Sequence, residues 1–106
     1  MNQIVQTSQW NMIQILKTLE SHRSKLQGWG VRKLGLFGSY QRGTAKPDSD
    51  MDFLVEFESP SFDVYMDTKF FLEDLFHCNI DLVIESNIKP RLRPYILNEV
   101  VYVSGL

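Results

Sequence analysis

The chain has 106 residues, of which 43% are hydrophobic and 23% charged, and its formal net charge at pH 7 is −2. These proportions exclude a disordered or collagen-like chain, and the slight acidic excess argues against direct nucleic-acid binding. The single cysteine, Cys78, cannot form an internal disulfide, and no Cys/His cluster suggests zinc. No apolar run approaches the roughly 20 residues that span a bilayer, and no signal peptide is recognisable. We therefore expect one cytoplasmic domain over residues 1–106, without membrane contact.

Hydrophobic periodicity predicts a helix over Ser8–Gln27, with Thr7 or Ser8 as its N-cap. A second helix is expected over Phe62–Phe76, with serine at its cap and Pro60 in its first turn. The other predicted elements are strand Val31–Phe37, a helical turn Tyr40–Gly43, loop Thr44–Ser49, strands Asp50–Phe57 and Ile80–Ile84, helix Pro90–Val100 and edge strand Val101–Val103. This order predicts an α/β (α+β) fold, with one small mixed sheet flanked by helices.

The chemistry of the chain is concentrated where Gly38-Ser39 is followed, after ten residues, by Asp50-Met51-Asp52. Because side chains alternate across a strand, both aspartates point to one face and Met51 points into the core. Converging carboxylates repel each other unless a cation lies between them, and hard oxygen ligands suit Mg²⁺. A glycine turn, together with an acidic turn that caps an edge strand, is the alternative interpretation.

Gly38-Ser39 leaves one strand and opens a helical turn, which is an arrangement suited to phosphate. Glycine allows a phosphate to approach the backbone, and a helix start offers free N–H groups. The Ser39 hydroxyl adds a donor, and Arg42 lies within one turn, where it can reach a phosphate or a nearby carboxylate. A phosphate-binding turn beside a carboxylate pair predicts a nucleoside triphosphate as ligand.

Asp81 supplies a third carboxylate in the otherwise apolar strand Ile80–Ile84. A charge buried there without a partner would be costly, so we expect it to face the same site. A second metal ion, or deprotonation of an incoming hydroxyl group, would explain its presence.

These residues resemble the GS-x10-DxD signature of the DNA polymerase β-type nucleotidyltransferase superfamily, and the resemblance covers about Val31 to Val103. The segments FGSYQRG, SDMDFLVEF, IDLVI and LRPYILNEVVYV resemble the minimal nucleotidyltransferases. Those stand-alone domains are encoded beside HEPN-domain ribonuclease toxins and act as their antitoxins. The resemblance implies a polymerase β-type core that transfers AMP from ATP, with Mg²⁺, to a protein hydroxyl, typically a tyrosine of the toxin.

By position, the resemblance implies that Gly38 and Ser39 bind the triphosphate and that Asp50 and Asp52 hold the metal ions. Asp81 corresponds to the third carboxylate, as a metal ligand and candidate base. The chain departs from the family where Phe-His-Cys-Asn, at 76–79, replaces a common glycine turn.

Three functions are compatible with this pattern. The first is an antitoxin enzyme that modifies a HEPN-family toxin, and the second is a module that neutralises the toxin by docking without catalysis. The third is a nucleotidyltransferase for small molecules such as antibiotics, which would need an added substrate domain. The sequence leaves homo-oligomerisation open.

Overall fold

The structure is a computed structural model that describes residues 10–106 of the chain. Its elements are α1 (Met12–Glu20), α2 (Arg23–Gly28), β1 (Val31–Phe37), α3 (Ser39–Arg42), β2 (Met51–Phe57), α4 (Phe62–Phe76), β3 (Ile80–Ile84), a 3-10 turn (Glu85–Asn87), α5 (Arg93–Glu99) and β4 (Val101–Tyr102). The strands form one sheet in the order β3-β2-β1-β4. β1 pairs antiparallel with β2 and β4, whereas β2 pairs parallel with β3. The predicted α+β class with a small mixed sheet is confirmed.

One face of the sheet packs against α1, α2 and α4. The hydrophobic core on this face includes Ile15, Leu19, Leu26, Leu34, Leu36, Met51, Phe53, Val55, Phe57, Leu72 and Phe76. Because alternate residues of β2 face this core, the residues between them, including Asp52, point to the opposite face. The burial of Met51, predicted from the alternation, is confirmed. The helices therefore cover one face of β2 and leave its acidic residues on the other.

The opposite face is covered in part by the C-terminal segment. Leu54 points to this face and is fully buried. Gly35 lies there so close to Val100 and Tyr102 that a side chain on it would collide with both. Within residues 10–106, no helix has the length and apolar character that crossing a bilayer requires.

The predicted first helix begins later than expected and is interrupted. Its cap is Asn11, whose side chain accepts a hydrogen bond from Gln14 N at 2.8 Å, while the predicted caps Thr7 and Ser8 lie outside the described residues. The interruption follows Glu20, where Ser21 Oγ donates to Thr18 O at 2.7 Å. Such side-chain bonds to helix carbonyls compete with continuation of the helix, so one predicted helix is in fact two.

Other element boundaries also differ from the prediction. Four differ by one residue: β2 begins at Met51, α3 spans Ser39–Arg42, α5 ends at Glu99 and β4 ends at Tyr102. Ser61 caps α4 by accepting from Val64 N at 3.2 Å, so Pro60 lies before the cap and not in the first turn. The last helix begins at Arg93 and not at Pro90, because the preceding residues form a turn in which Leu92 N donates to Lys89 O. The predicted bounds of β1, α4 and β3 are confirmed.

Gly35→Ala tests the close packing between the sheet and the C-terminal segment. The added Cβ would lie 2.9 Å from Tyr102 Cδ1 and nearer still to Val100 Cγ2. We expect the free energy of unfolding to fall by about 1–3 kcal/mol, as in overpacked cores. Gly28→Ala is the matched control, since its Cβ would meet nothing within 4 Å. Urea denaturation of both variants measures the difference, and equal stabilities would contradict the packing described here.

Candidate active site

Strand pairing brings the predicted site residues to one end of the sheet. Parallel pairing aligns Asp52 in β2 with Asp81 in β3, and antiparallel pairing aligns Asp52 with Phe37, the last residue of β1. Asp50 lies just before β2, close enough to Asp52 for its charge to raise the pKa of Asp52. The structure thus brings three carboxylates together beside the turn that begins at Gly38.

The three carboxylates differ in their exposure. Asp50 and Asp81 are exposed, whereas Asp52 is partly buried between them. Asp81 is exposed because β3 is an edge strand of the sheet, so its charge can reach solvent. Burial, the charges of Asp81 and Asp50 and a hydrogen bond with Asp81 raise the pKa of Asp52 to about 6, and the charge of Arg42 opposes this rise.

This arrangement fits a hard divalent cation such as Mg²⁺. A cation would relieve the repulsion that raises the pKa of Asp52, and its preferred ligands are carboxylate oxygens. Within residues 10–106, no group of three or more acidic, histidine or cysteine side chains forms a ready-made metal cage. Mg²⁺ does not require such a cage, because it retains water ligands and takes others from substrate phosphates. The residues present therefore suit a cation that binds together with a nucleotide.

The turn at Gly38 requires glycine for two reasons. Its backbone has φ 79° and ψ −156°, a conformation that other residues rarely adopt. In addition, a Cβ at this position would collide with the carboxylate of Asp52. The amide groups of Gln41 and Arg42 donate to Gly38 O, each at 3.1 Å, and begin α3. Within residues 10–106, the Ser39 and Tyr40 amide groups have no protein acceptor, so they remain available to an anion.

An unpredicted residue, Glu99 at the end of α5, also contacts this turn. Its Oε2 accepts from Gly38 N at 2.8 Å, and its Oε1 accepts from Arg42 Nη1 at 2.8 Å. Burial raises the pKa of Glu99, but these two hydrogen bonds and the charge of Arg42 outweigh burial and hold it below its usual value. Of the two partners expected for Arg42, a phosphate or a carboxylate, the structure shows a carboxylate.

The segment that replaces the common glycine turn also lies beside the site. His77 ends α4 with φ 54°, so it adopts the left-handed conformation that glycine usually supplies. A groove of about 510 Å³ next to Asp50 is lined by Pro47, Asp48, Ser49, Asp50, Glu73, His77, Cys78 and Asn79. Burial and the charges of Asp50 and Glu73 raise the pKa of the Cys78 thiol, which disfavours it as a nucleophile.

A second groove, of about 540 Å³, lies away from the carboxylates. It is lined by Pro60, Ser61, Phe62, Tyr65, Leu82, Val83, Ile84 and Asn87, at the start of α4 and the end of β3. None of the predicted site residues lines it. The site is therefore defined by its charged groups and its turn, and not by the apolar concavity.

Without a bound cation, Asp52→Asn should stabilise the protein at neutral pH. The pKa of Asp52 is about 6 in the folded chain, above its ordinary value of 3.8. A carboxyl group with a raised folded-state pKa contributes stability below its unfolded-state pKa. This contribution is lost as the pH rises through its folded-state pKa. Screening of this half-exposed carboxylate limits the effect to about 1 kcal/mol, or about 4–8 °C in Tm.

Thermal unfolding in EDTA at neutral and acidic pH measures this gain. The gain should shrink as the pH is lowered from 6 towards 4, where the wild-type carboxyl becomes neutral. Asp67→Asn, at an exposed position in α4, is the matched control and should change little. Equal melting temperatures for wild type and Asp52→Asn at neutral pH would contradict the electrostatic description.

Comparison with known proteins identifies the family. The profile of the nucleotidyltransferase domain matches residues 13–103, and protein adenylyltransferase MntA of Thermococcus cleftensis is 44% identical over 92 residues, 85% of this chain and 93% of that protein. A solved structure of a candidate minimal nucleotidyltransferase is 33% identical, with a TM-score of 0.69 over 90% of this chain and 98% of that chain. The complex of a tri-AMPylated Shewanella oneidensis HEPN toxin with an MNT antitoxin shares the fold, at 18% identity and a TM-score of 0.60 over 86% of this chain and 73% of that chain. The matched region contains the Gly38 turn and all three carboxylates, and the chain belongs to the nucleotidyltransferase family as a minimal nucleotidyltransferase.

Proposed function

We propose that the chain transfers AMP from ATP to a hydroxyl group of a HEPN-family ribonuclease toxin and so acts as its antitoxin. The proposed acceptor is the hydroxyl group of a tyrosine. The observation that carries the proposal is that Asp81 is paired with Asp52 beside the Gly38-Ser39 turn, with Asp50 close enough for its charge to act on Asp52. The relative from Thermococcus cleftensis, which is 44% identical over 92 residues, is a protein adenylyltransferase. The related fold from Shewanella oneidensis is bound to an AMPylated HEPN toxin. Both support a protein acceptor.

In this proposal, the turn binds the triphosphate. The backbone of Gly38 lets a phosphate approach closely, and the amide groups of Ser39 and Tyr40 are free to donate to phosphate oxygens. The Ser39 hydroxyl is a further donor. Arg42 adds positive charge near the carboxylates, since its charge lowers the pKa of Asp52. The donors of Ser39 and Tyr40 hold the nucleotide with its α-phosphate near the acidic residues.

Asp50 and Asp52, with Asp81 as a third ligand, would hold Mg²⁺. When bound, the ion supplies electrostatic stabilisation of the charge on the phosphates and on the leaving pyrophosphate. Asp81 is exposed, so a hydroxyl group of a second protein can reach it. Asp81 accepts the hydroxyl proton while the hydroxyl oxygen bonds to the α-phosphorus. The bond between the α-phosphorus and the bridging oxygen breaks, and pyrophosphate leaves.

Asp50→Asn combined with Asp52→Asn tests the proposal. The double variant should keep the fold, because neither side chain belongs to the hydrophobic core. Transfer of α-phosphate label from ATP to the purified HEPN-family partner should fall about a hundredfold or more, since several kcal/mol of charge stabilisation are lost. The matched control is Asp67→Asn combined with Asp74→Asn, which changes two exposed aspartates of α4.

The outcomes separate catalysis from docking. Full labelling by the Asp50/Asp52 double variant would refute the assigned site. If wild type gives no label but forms a stable complex that silences the toxin, neutralisation by docking alone replaces the enzymatic proposal. Nuclease activity of the partner, measured with and without ATP, distinguishes these cases.

A further inference from the structure

The carboxylate of Glu99 accepts hydrogen bonds from two donors at the turn proposed to bind phosphate. Gly38 N and Arg42 Nη1 each lie 2.8 Å from one of its oxygens, and the Glu99 side chain is 25% exposed. Charge-assisted hydrogen bonds of this length are among the stronger ones in proteins. The turn is therefore held by a residue 61 positions away in the sequence, at the end of a different helix.

The same contact fixes the turn against the carboxylates. Gly38 lies so close to Asp52 that no side chain fits between them. Glu99 accepts from the amide group of Gly38, so it fixes the orientation of the peptide unit that joins Phe37 to Gly38, where the turn begins. Arg42, which Glu99 also binds, ends the single turn of α3. One carboxylate thus anchors both ends of the segment 38–42.

Glu99 is itself held in place by the rest of α5. At the start of this helix, Arg93 Nη1 donates to Glu85 O at 3.0 Å, and Arg93 Nη2 lies 3.4 Å from Glu85 Oε2. At the end of the helix, Val100 packs over Gly35 of β1. Because contacts with the rest of the domain hold both ends of α5, the helix fixes the position of Glu99 beside the turn.

We propose that Glu99 is a positioning residue for the nucleotide, one that holds the Gly38 turn in its binding geometry without contacting the nucleotide. The inference rests on the proposed function, because it assumes that the turn binds a triphosphate. It assigns the amide groups of Ser39 and Tyr40, and not that of Gly38, to the phosphates. In this inference, Arg42 is a partner of Glu99 and does not bind the phosphates.

Displacement of Glu99 by an incoming phosphate is the competing mechanism. It would leave a charged carboxylate without either of its donors, next to a phosphate of the same sign. It would also break two contacts of 2.8 Å on an attached helix. The two mechanisms predict opposite effects when the carboxylate is removed. Loss of a positioning residue weakens nucleotide binding, whereas loss of a competing anion strengthens it.

Calorimetric titration of ATP with Mg²⁺, in the absence of any acceptor protein, distinguishes these mechanisms. Glu99→Ala should weaken binding about tenfold, because it removes charge-assisted hydrogen bonds that order the turn. Glu99→Gln keeps one oxygen that can accept from Gly38 N, so it should weaken binding by only about threefold. Asn98→Ala, at an exposed position in the same helix, is the control and should bind like wild type.

A second readout follows the turn directly. In nitrogen-resolved NMR spectra, the Gly38 amide proton should shift upfield in Glu99→Ala, and Glu99→Gln should restore part of the shift. A general loss of folded protein would reduce the number of binding sites and leave the Kd of the remaining folded molecules unchanged. Thermal unfolding of each variant measures the folded fraction. If Glu99→Ala does not fold, the Kd and amide shift of Glu99→Gln decide.

Each result bears on the inference. Weaker ATP binding with a shifted Gly38 amide supports it, and partial rescue by Glu99→Gln strengthens it. Unchanged or tighter binding by a folded Glu99 variant overturns it, and tighter binding establishes displacement in its place. If wild type itself does not bind ATP with Mg²⁺, the proposed function fails, and the inference fails with it.

Discussion

The parallel pairing of β2 with β3 is the constraint on which the rest of the site depends. It places Asp52 directly opposite Asp81, so two like charges face each other in the folded chain. The register cannot slip by one residue, because Met51 and Phe53 would then leave the hydrophobic core. Burial of apolar side chains on one face of β2 thus holds the carboxylates of Asp52 and Asp81 close together on the other face, although they repel each other. Burial of Asp52 is the largest cause of its raised pKa, and this repulsion adds to it.

Asp52 and Glu99 lie near the same guanidinium and yet have pKa values shifted in opposite directions. The difference lies in their hydrogen bonds. Glu99 accepts from Gly38 N and from Arg42, so its charge is compensated by the protein. Within residues 10–106, the hydrogen bond that affects the pKa of Asp52 comes from another acid, Asp81. Asp52 is therefore the carboxylate whose charge the described residues leave without a compensating donor, and the charge of Glu99 is compensated.

Local patterns in the sequence predicted the features that depend on local physics. The apolar runs of β1 and β3 and the broad apolar face of α4 determine their bounds. The break after Glu20 was missed because the helical periodicity of apolar residues continues past it. The break depends instead on the hydrogen bond that the Ser21 hydroxyl donates to a helix carbonyl. The exposure of Asp81 depends on the strand order, which periodicity does not contain. Glu99 was missed although its signal, one charge among apolar residues, is the signal that identified Asp81.

The shortness of α3 explains why such distant contacts matter to the site. The helix has four residues, so few peptide dipoles are aligned along it and their combined field at its start is weak. Attraction of a phosphate must then come from individual donors, whose hydrogen bonds weaken steeply with misalignment. The alignment of those donors is set by Gly38, which is confined by Asp52 beside its Cα and by Glu99 at its amide group. Asp52 and Glu99, which do not themselves bind phosphate in this proposal, therefore determine the geometry of the amide groups proposed to bind it.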